Sequence, residues 1–278
     1  MVHMDISIII LNYKSKRLVR QCIKTIFLYN PKLSFEIIVV DNHSEDGVVE
    51  MVREQFPGVI CIASPENVGY AAGNNLGIKR SQGRYVVIMN PDITLRPGSL
   101  EIMVAAMDAD KTIGILGPKL EQPDGSLDTS CYRFPSYSVP FYRRTPFGKF
   151  SFGKRVVAEY LMDDYDHKEA KDVDWLLGAV LLVRRSALDK VGLLDASFFL
   201  YFEDTDWCRR FWRAGYRVVY FPAATMVHYH ERLSAQGLWF LSPLRKSTRI
   251  HITSCIKYFW KWKKIQDASE KGKLHSHV

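Results

Sequence analysis

Residues 85–92 read Tyr-Val-Val-Ile-Met-Asn-Pro-Asp, an apolar stretch that the last three residues close. The lack of polar alternation in residues 85–89 is typical of a strand that is covered on both faces in an α/β sheet. Proline cannot donate to a strand ladder, so the strand should end at Pro91 and leave Asp92 at its carboxyl end, where open α/β sheets bind ligands. Asp92 is therefore either a metal-binding carboxylate or part of an Asx turn that ends the strand.

Two strand–helix units precede this stretch. Ile6 to Leu11 is an apolar strand, and the apolar residues from Lys16 to Tyr29 fall on one face of a helix. Phe35 to Val40 is a second buried strand, which the amphipathic segment from Val48 to Phe56 follows. This alternation predicts a parallel sheet with right-handed crossovers. Asp41 then stands at the carboxyl end of a strand, either as an acceptor for a ribose or a base or as a helix cap.

The loop after the first strand lacks the usual phosphate-binding patterns. It reads Asn12-Tyr-Lys-Ser, which is neither the G-x-G-x-x-G of dinucleotide binders nor the G-x-x-x-x-G-K of P-loops. A dehydrogenase or an NTPase is therefore disfavoured. Further along, small residues between Asn67 and Gly77 would let a helix approach a ligand or the sheet closely.

Composition and charge narrow the classes of protein to which this chain can belong. The chain has 278 residues, 47% of them hydrophobic and 24% charged, which is ordinary for a globular protein with a core. Its formal charge of +8 suits nucleic acid, an anionic membrane surface or an anionic small substrate equally well. The five scattered cysteines form no C-x-x-C pair, which favours reduced thiols and argues against a structural zinc site. No apolar run reaches the roughly 18 residues that span a bilayer, and we expect neither a signal peptide nor an integral membrane protein.

The polar residues at the strand ends form four ordered motifs, namely Ile-Ile-Leu-Asn12-Tyr13, Val-Val-Asp41-Asn42-His-Ser44-Glu-Asp46-Gly47, Glu66-Asn67-Val-Gly69-Tyr-Ala-Ala-Gly73-Asn74-Asn75-Leu-Gly77 and Met-Asn90-Pro91-Asp92. In this combination they resemble family 2 glycosyltransferases, above all the rhamnosyltransferase-like branch. The likeness runs from about Ile6 to Ser234. It implies the GT-A fold, an α/β fold with a mostly parallel central sheet flanked by helices, whose first half binds a nucleotide-sugar.

The resemblance implies roles for residues of the first half. Asp92 stands where the last acid of the Asp-x-Asp motif chelates a divalent cation, Mg²⁺ or Mn²⁺, on the donor diphosphate. Asn90 replaces the first acid of that motif, and a neutral amide contributes less to such an ion than a carboxylate does. The residues that we expect on the donor are Asn12, Tyr13, Asp41, Asn67, Gly69, Asn74, Asn75 and Asn90.

The second half is expected to supply the acceptor side. Ser130 to Lys171 interleaves aromatic and basic residues without a sustained period, which predicts a mobile loop region. It could stack bases or be a surface insertion, but the nearby motifs favour an acceptor that carries an anionic lipid diphosphate. The apolar run from Val173 to Val183 contains Trp175 and Gly178, and the resemblance places this run along the substrate-binding surface.

Glu203 and Asp204 follow an aromatic run and precede a helix. Thr205 or Asp206 could cap that helix, with the other acids at its mouth. Alternatively, inverting glycosyl transfer needs a carboxylate that takes the proton of the acceptor hydroxyl, and a helix mouth beside an apolar pocket can position one. The pair is similar to the Glu-Asp motif of the family, which makes Asp204 the expected base and Glu203 the reserve candidate.

His228 and His230 point to one side if the chain there is extended. A lone histidine is usually a satisfied core residue. The family, however, often places a histidine near this position against the metal or the diphosphate, and the spacing from Pro222 favours His228 as a metal ligand.

The segment from Leu244 to Lys264 combines lysines and arginines with Ile, Tyr, Phe and Trp, which indicates a basic amphipathic helix. Such a helix either lies among the headgroups of an anionic membrane or packs on the body of the protein. We therefore expect a glycosyltransferase domain over residues 1–243, with its donor half over 1–125 and its acceptor half over 126–243, and a basic tail over 244–278.

The function implied by the resemblance is that of an inverting glycosyltransferase. It would move a rhamnose-like or other hexose from a nucleoside diphosphate sugar to a glycan or lipid-linked acceptor in cell-surface polysaccharide synthesis. Its expected place is the cytoplasmic face of the membrane, on an anionic surface and without nucleic acid. A sugar-nucleotide nucleotidylyltransferase is an alternative, although its glycine-rich phosphate loop is not matched. A non-enzymatic basic membrane or RNA-binding module would explain the charge but would leave Asp92 and Asp204 without a purpose.

Overall fold

The structure, a computed structural model, describes residues 4–229 and 246–275, with side chains up to residue 265. Its first part alternates strands and helices, because short apolar runs are separated by segments with apolar residues at helical spacing. In chain order the elements are β1 (Ile6–Asn12), α1 (Lys16–Tyr29), β2 (Phe35–Asp41), α2 (Val48–Gln55), β3 (Ile60–Ala63), α3 (Gly69–Arg80), β4 (Tyr85–Met89) and β5 (Ile93–Thr94).

The second part contains shorter elements and two longer strands. They are α4 (Ser99–Ala109), β6 (Ile113–Glu121), β7 (Leu127–Asp128), β8 (Cys131–Tyr132), α5 (Val139–Arg144), a 3₁₀ turn (Pro146–Lys149), α6 (Ser151–Leu161), β9 (Lys171–Asp172), β10 (Trp175–Leu176), β11 (Val180–Arg184), α7 (Arg185–Val191), α8 (Glu203–Arg213), β12 (Arg217–His228) and α9 (Lys246–His275).

The predicted alternation is confirmed, and α1 and β4 have the predicted bounds. The expectation of an irregular loop from Ser130 to Lys171 is wrong, since that segment contains α5, the 3₁₀ turn and α6. Aromatic rings of this unit pack on one another, for example Phe141 on Phe147 with their centroids 5.5 Å apart. Because its aromatic residues do not fall on one face against the sheet, the sequence shows no helical period there.

Ten strands of the described chain form one mixed sheet, in the order β3-β2-β1-β4-β11-β6-β12-β5, with β7 beside β6 and β9 beside β12. β3, β2, β1 and β4 are parallel, and so are β6 and β12, whereas β11 is antiparallel to both of its neighbours. The sheet is thus mostly parallel, as predicted. The carboxyl ends of β1, β2 and β4 meet at one edge, where ligands bind in such folds.

Helix α3 lies directly on β1 because two of its three glycines face that strand. A Cβ atom on Gly73 would lie 2.6 Å from the side chain of Leu11, and one on Gly77 would lie 2.5 Å from that of Ile9. Larger residues would push the helix off the strand. This close approach brings the start of α3 next to the carboxyl ends of β1 and β2.

Helix α9 packs against the body of the protein through one side. Tyr258 and Trp262 are buried with Phe198 and Phe202, which belong to the loop before α8. None of the described helices combines the length and the hydropathy that crossing a bilayer requires. Helix α9 therefore has an inner side that contributes to the core of the chain.

A buried carboxylate fastens α9 to α8. Asp206 is 0% exposed, and it accepts hydrogen bonds from Nε of Arg210 at 2.9 Å and from Nε1 of Trp262 at 3.0 Å. Nζ of Lys261 lies 2.7 Å from the same carboxylate. A buried charge is tolerated only when it is paired and hydrogen-bonded, so these three donors make Asp206 the anchor of α9.

The Asp206→Asn substitution keeps the shape of this side chain and removes its charge. We expect the free energy of unfolding to fall by about 3 kcal/mol, because removing the negative charge of a buried ion pair leaves the neighbouring cations less compensated. Urea denaturation measures this loss. The control is Asp164→Asn, which removes an exposed pair with Arg133 and should change stability by less than about 0.5 kcal/mol. Equal effects of both substitutions would contradict the anchor.

Candidate active site

Asp92 lies just beyond the carboxyl end of β4, as the sequence predicts. Its backbone carbonyl accepts a hydrogen bond from the N–H of Tyr229 at 2.9 Å, which ties it to the end of β12. One carboxylate oxygen, Oδ2, lies 3.5 Å from Nε2 of His228. The other, Oδ1, is buried and has no hydrogen-bond partner in the part of the chain that the structure describes. Such an atom normally has a partner, so this oxygen is suited to a ligand.

His228 is 1% exposed and is held between two acids. Its Nδ1 lies 2.7 Å from Oδ2 of Asp128, at the end of β7. Burial lowers the pKa of His228, but the hydrogen bonds and charges of Asp128 and Asp92 outweigh it and raise the pKa to about 9. Asp128 is a site residue that the sequence does not predict. In the sequence, Asp128 is simply a polar residue shortly after the turn Gln122-Pro-Asp-Gly125.

These residues fit a divalent cation that substrate also binds. Metal-binding histidines commonly contact a carboxylate through their other ring nitrogen, which is the arrangement of His228 with Asp128. Among residues 4–229 and 246–265, no group of three or more His, Cys, Asp and Glu side chains could hold a metal ion on its own. The chain thus offers two candidate ligands, Asp92 and His228. Mg²⁺ sites commonly use one or two carboxylates from the protein together with substrate phosphates.

Asn12 and Asp41 join the loops at the ends of β1 and β2. Nδ2 of the fully buried Asn12 donates to Oδ1 of Asp41 at 3.1 Å and to Oγ of Ser44 at 2.8 Å. Its Oδ1 accepts from the backbone N–H of Ser15 at 3.1 Å. Both ends of the Asn12 amide are thus used inside the protein. Tyr13, the next residue, is 48% exposed and offers its ring to solvent at this edge.

The amide residues around α3 also bond mainly within the chain. Oδ1 of Asn67 accepts from the backbone N–H of Gly69 at 3.0 Å. The amide of Asn75 pairs with both backbone groups of Leu194, at 2.8 Å and 3.1 Å. Asn74 differs, because its Oδ1 is buried and has no hydrogen-bond partner among the described residues. Asn75 therefore links the two halves of the chain, and Asn74 keeps an acceptor for a ligand.

Trp175 lies beneath the site, in the small two-stranded sheet of β8 and β10. Its indole N–H donates to the carbonyl of Arg133 at 3.0 Å. Its ring stacks on Tyr132 with a centroid distance of 4.4 Å. These contacts support β10, which leads the chain into Gly178.

Tyr70 connects the end of β4 with the acids of α8. Its hydroxyl donates to the carbonyl of Gly178 at 2.5 Å and lies 3.2 Å from Oδ1 of Asn90. The backbone N–H of Gly178 in turn donates to Oδ2 of Asp204 at 3.0 Å. A Cβ atom at position 178 would lie 3.2 Å from the hydroxyl and 3.4 Å from that carboxylate oxygen, so glycine allows all three groups to meet. We call this set the Tyr70 junction.

Tyr70 belongs to one of the four motifs at the strand ends, but nothing in the sequence distinguishes it from a core aromatic residue. Burial raises the pKa of its hydroxyl well above the usual value, and the negative charges of Glu203, Asp204 and Asp92 raise it further. The hydroxyl is therefore a neutral hydrogen-bond donor. Because all three acids act on it, Tyr70 lies between the predicted metal position and the predicted base.

Glu203 and Asp204 form the first turn of α8 and are both buried. The N-cap position belongs to Phe202, which makes no side-chain capping hydrogen bond. Thr205 and Asp206 lie inside the helix, so the alternative in which one of them caps it is wrong. The reason is the backbone before the helix, where Tyr201 and Phe202 both have a left-handed φ of 70°.

Burial raises the pKa values of both acids, and the two are not equivalent. For Glu203, the charge of Asp204 raises the pKa further, well above its ordinary value. For Asp204, hydrogen bonds from the backbone N–H groups of Gly178 and Thr205 oppose the effect of burial. One oxygen of Glu203, Oε2, has no hydrogen-bond partner within the described chain. Asp204 is therefore the more readily ionised acid, as a general base must be.

Helix α9 holds the strained turn that leads into these acids. Two consecutive left-handed residues other than glycine cost on the order of 1 to 3 kcal/mol each and persist only when their surroundings fix them. Oγ of Ser254 donates to the carbonyl of Leu200 at 2.9 Å. The ring of His251 lies 5.0 Å from that of Tyr201 and 5.3 Å from that of Phe202. The tail thus fixes the direction in which the acids enter the site.

Comparisons with known proteins agree on one family. Residues 7–191 match the family model described as glycosyl transferase family 2, and residues 136–262 match glycosyl transferase family group 2. An N-acetylglucosaminyl-diphospho-decaprenol L-rhamnosyltransferase of Mycobacterium tuberculosis is 29% identical over 245 residues, which cover 81% of this chain and 76% of that protein. Rhamnosyltransferase WbbL of Escherichia coli K12 is 26% identical over 240 residues, 81% of each chain.

Solved structures show the same fold. The mannosyltransferase PcManGT from Pyrobaculum calidifontis, in complex with GDP-Man and Mn²⁺, superposes with a TM-score of 0.56 at 18% identity and covers 84% of this chain. S. aureus TarS 1-349 in complex with UDP gives 0.55 at 16% identity and covers 81%. This chain spans 59% and 60% of those two structures. The predicted GT-A fold is confirmed.

The raised pKa of His228 makes stability depend on pH. Its pKa lies at about 9 in the folded chain, above the ordinary value of 6.5. The resulting stability is fully present below pH 6.5 and is lost as the pH rises through about 9. With a chelator present, we expect His228→Gln to lower the free energy of unfolding on the order of 3 kcal/mol at about pH 6, and much less above about pH 9.

Urea denaturation of both proteins at the two pH values measures this difference. His43→Gln, at an exposed position, serves as the control and should have little effect at either pH. A loss from His228→Gln that is equal at both pH values would contradict the protonated histidine.

Proposed function

The chain belongs to glycosyl transferase family 2, and we propose that it moves a hexose from a nucleoside diphosphate sugar to a lipid-linked glycan acceptor. The observation that carries this proposal is the Tyr70 junction, which joins the strand end before Asp92 to the buried carboxylate of Asp204. Sugar transfer needs a place for the leaving diphosphate and a base for the attacking hydroxyl, side by side. The junction brings the residues for both into one site.

On the donor side, Asp92 and His228 would hold a divalent cation, Mg²⁺ or Mn²⁺, with the phosphates of the donor. The free Oδ1 of Asp92 and the Asp128 carboxylate behind His228 support this assignment. When bound, such a cation neutralises charge on the leaving diphosphate. Asn90 stands in place of a second acid, so the protein contributes less negative charge to the cation than an Asp-x-Asp pair would.

The remaining donor contacts are assigned to the edge formed by the ends of β1 and β2. Tyr13 offers an exposed ring there, and Asn74 has a buried amide oxygen that no described residue uses. Asn12, Asp41 and Asn67 shape this edge through the hydrogen bonds that they make within the chain. Gly69 and Asn75 fix the start of α3 against the second half.

On the acceptor side, Asp204 is the proposed base. Its carboxylate would take the proton of the acceptor hydroxyl while the hydroxyl oxygen forms a bond to the anomeric carbon and the bond to the diphosphate oxygen breaks. This direct displacement inverts the sugar and needs no covalent intermediate with the enzyme. Glu203 is the reserve candidate, because burial and the charge of Asp204 both raise its pKa and so disfavour its ionised form.

The printed names of two relatives support a narrower substrate class. Both are rhamnosyltransferases, and one is named for an acceptor in which N-acetylglucosamine is joined through a diphosphate to decaprenol. We therefore propose a rhamnose-like donor sugar and a polyprenyl diphosphate-linked acceptor in cell-surface polysaccharide synthesis. An acceptor with a polyprenyl chain lies in the membrane, so the enzyme would work at the cytoplasmic membrane face. The family match favours this function over a nucleotidylyltransferase or a non-enzymatic basic module.

The Asp204→Asn variant tests the base. It keeps the shape of the side chain and its hydrogen-bond acceptor but loses basicity. We expect turnover to fall by a factor of about 10² to 10⁴, while donor affinity changes little. Turnover is measured with nucleoside diphosphate rhamnose and a short soluble acceptor, and donor affinity by calorimetry. If Glu203→Gln abolished turnover while Asp204→Asn kept it, Glu203 would be the base; full turnover in both variants would refute a catalytic role for this motif.

The Asp92→Asn variant tests the metal position independently of turnover. In the wild-type protein we expect Mn²⁺ to strengthen the binding of a nucleoside diphosphate, and we expect the variant to lose this gain, a change of about 10- to 100-fold in affinity. Calorimetric titration with and without Mn²⁺ measures it. The matched variant Asn90→Asp restores a second acid and should increase the effect of Mn²⁺. An unchanged effect in Asp92→Asn would remove Asp92 from the metal site.

A further inference from the structure

The unit formed by α5, the 3₁₀ turn and α6 carries large aromatic side chains that the core does not use. Each of them is at least half exposed, namely Tyr137, Phe141, Phe147, Phe150 and Phe152. Neither the donor site nor the Tyr70 junction contains any of them. Contiguous exposed apolar surface on a folded protein normally marks a binding site.

Four of these rings, those of Phe141, Phe147, Phe150 and Phe152, form one continuous patch through contacts with one another and with Tyr142. Phe141 stacks on Phe147 with centroids 5.5 Å apart, and Phe147 lies 6.2 Å from Phe150. Tyr142 connects to Phe141 at 5.4 Å and to Phe152 at 5.9 Å. Such contacts hold the exposed rings in place, so the patch is a defined surface of the fold.

Tyr137, which stands just before α5 in the chain, connects this segment to α9. Tyr137 lies against Phe259 of that helix, with their centroids 4.4 Å apart. Beyond this contact α9 exposes Ile256 and Trp260, and Nζ of Lys264 lies 3.5 Å from the centre of the Trp260 ring. We call the aromatic unit and the outer side of α9 together the outer face.

The positive charge of the protein is concentrated on these two segments. Residues 133–162 contain the basic residues Arg133, Arg143, Arg144, Lys149, Lys154 and Arg155, and a single acid, Glu159. Residues 246–265 contain Lys246, Arg249, Lys257, Lys261, Lys263 and Lys264 and no acid. The whole chain has a formal charge of only +8, so the rest of it is net negative. The partner of the outer face is therefore anionic.

The charge and the ring contacts of the outer face favour a membrane over a second copy of the chain or a nucleic acid. A second copy of the chain would bring the same positive charges together, which repel. Single-stranded nucleic acid needs free ring faces on which bases stack, whereas Phe141 and Phe147 already cover each other. Exposed Phe, Ile and Trp side chains among Lys and Arg are the pattern of segments that lie in the headgroup region of a membrane.

We propose that the outer face docks on a membrane surface that carries anionic headgroups, and that the aromatic unit of α5, the 3₁₀ turn and α6 is a second membrane contact besides the tail. The apolar rings enter the headgroup boundary and the basic residues around them contact the lipid phosphates. Docking itself does not depend on sugar transfer.

Point variants of the full chain test this proposal. The loss of α9 would uncover the buried partners of Tyr258 and Trp262, so truncation is not used. One variant combines Phe141→Ser, Phe147→Ser and Phe150→Ser. A second combines Lys149→Glu, Lys154→Glu and Arg155→Glu. Its control, Arg17→Glu with Arg20→Glu and Lys24→Glu, makes the same change in net charge on exposed positions of α1.

Sedimentation with vesicles measures docking, with phosphatidylcholine alone or mixed with phosphatidylglycerol. We expect the wild type and the α1 control to sediment with the mixed vesicles, and the partition coefficient of both patch variants to be lower by about tenfold or more. Thermal melting shows whether each variant is folded, and the charge variant decides the question if the serine variant is not. Calorimetric binding of a nucleoside diphosphate without vesicles should be unchanged in both, which separates docking from the donor site.

Two results would overturn the proposal. One is equal sedimentation of the folded patch variants and the wild type, which would confine any membrane contact to the tail. The other is unchanged vesicle binding together with a loss of binding to single-stranded RNA in the same variants, which would make the outer face a nucleic-acid surface.

Discussion

The hydrogen bond from the backbone N–H of Gly178 to the carboxylate of Asp204 is the contact on which the site depends. An acid that is 8% exposed needs donors to remain ionisable, and here one donor comes from the loop between β10 and β11. The carbonyl of the same residue accepts from Tyr70, which also lies against Asn90. The two peptide groups that flank Gly178 thus set the separation between the end of β4 and the start of α8.

This arrangement explains why the two acids of α8 differ although they are neighbours in sequence. Both lie at the positive end of a helix and both are buried, but only Asp204 receives hydrogen bonds from outside its own turn. Glu203 feels the charge of Asp204 without such compensation. The two neighbouring acids therefore differ in how readily each one ionises.

The C-terminal helix links this chemistry to the outer surface. Its inner side fills the space next to Phe202, fixes a turn with two left-handed residues and neutralises the buried carboxylate of Asp206. Its outer side carries the exposed Trp260, and Lys263 and Lys264 are exposed as well. A segment that looks in the sequence like an appended tail is therefore part of the packing around the acids. Its inner side stabilises the fold, and its outer side is exposed to solvent.

The sequence by itself determined the first half of the fold and the family. Apolar runs and helical spacing are local properties, and the steric limits of proline end β4 next to Asp92 whatever the rest of the chain does. The four polar motifs follow strand ends for the same local reason, so their order could be read without a structure. The prediction of Asp92 and Asp204 as site residues needed the family resemblance as well.

Only the tertiary structure decided the contacts between distant segments. Asp128 reaches His228 across 100 positions, and Asn75 pairs with Leu194 across 119, separations at which no local pattern carries information. The cap of α8 and the helices between Ser130 and Lys171 were mistaken because their conformation is imposed by packing, on α9 in the first case and among aromatic rings in the second. Local preferences choose strands and helices, whereas the burial of charges and rings against remote partners decides which side chains form the site.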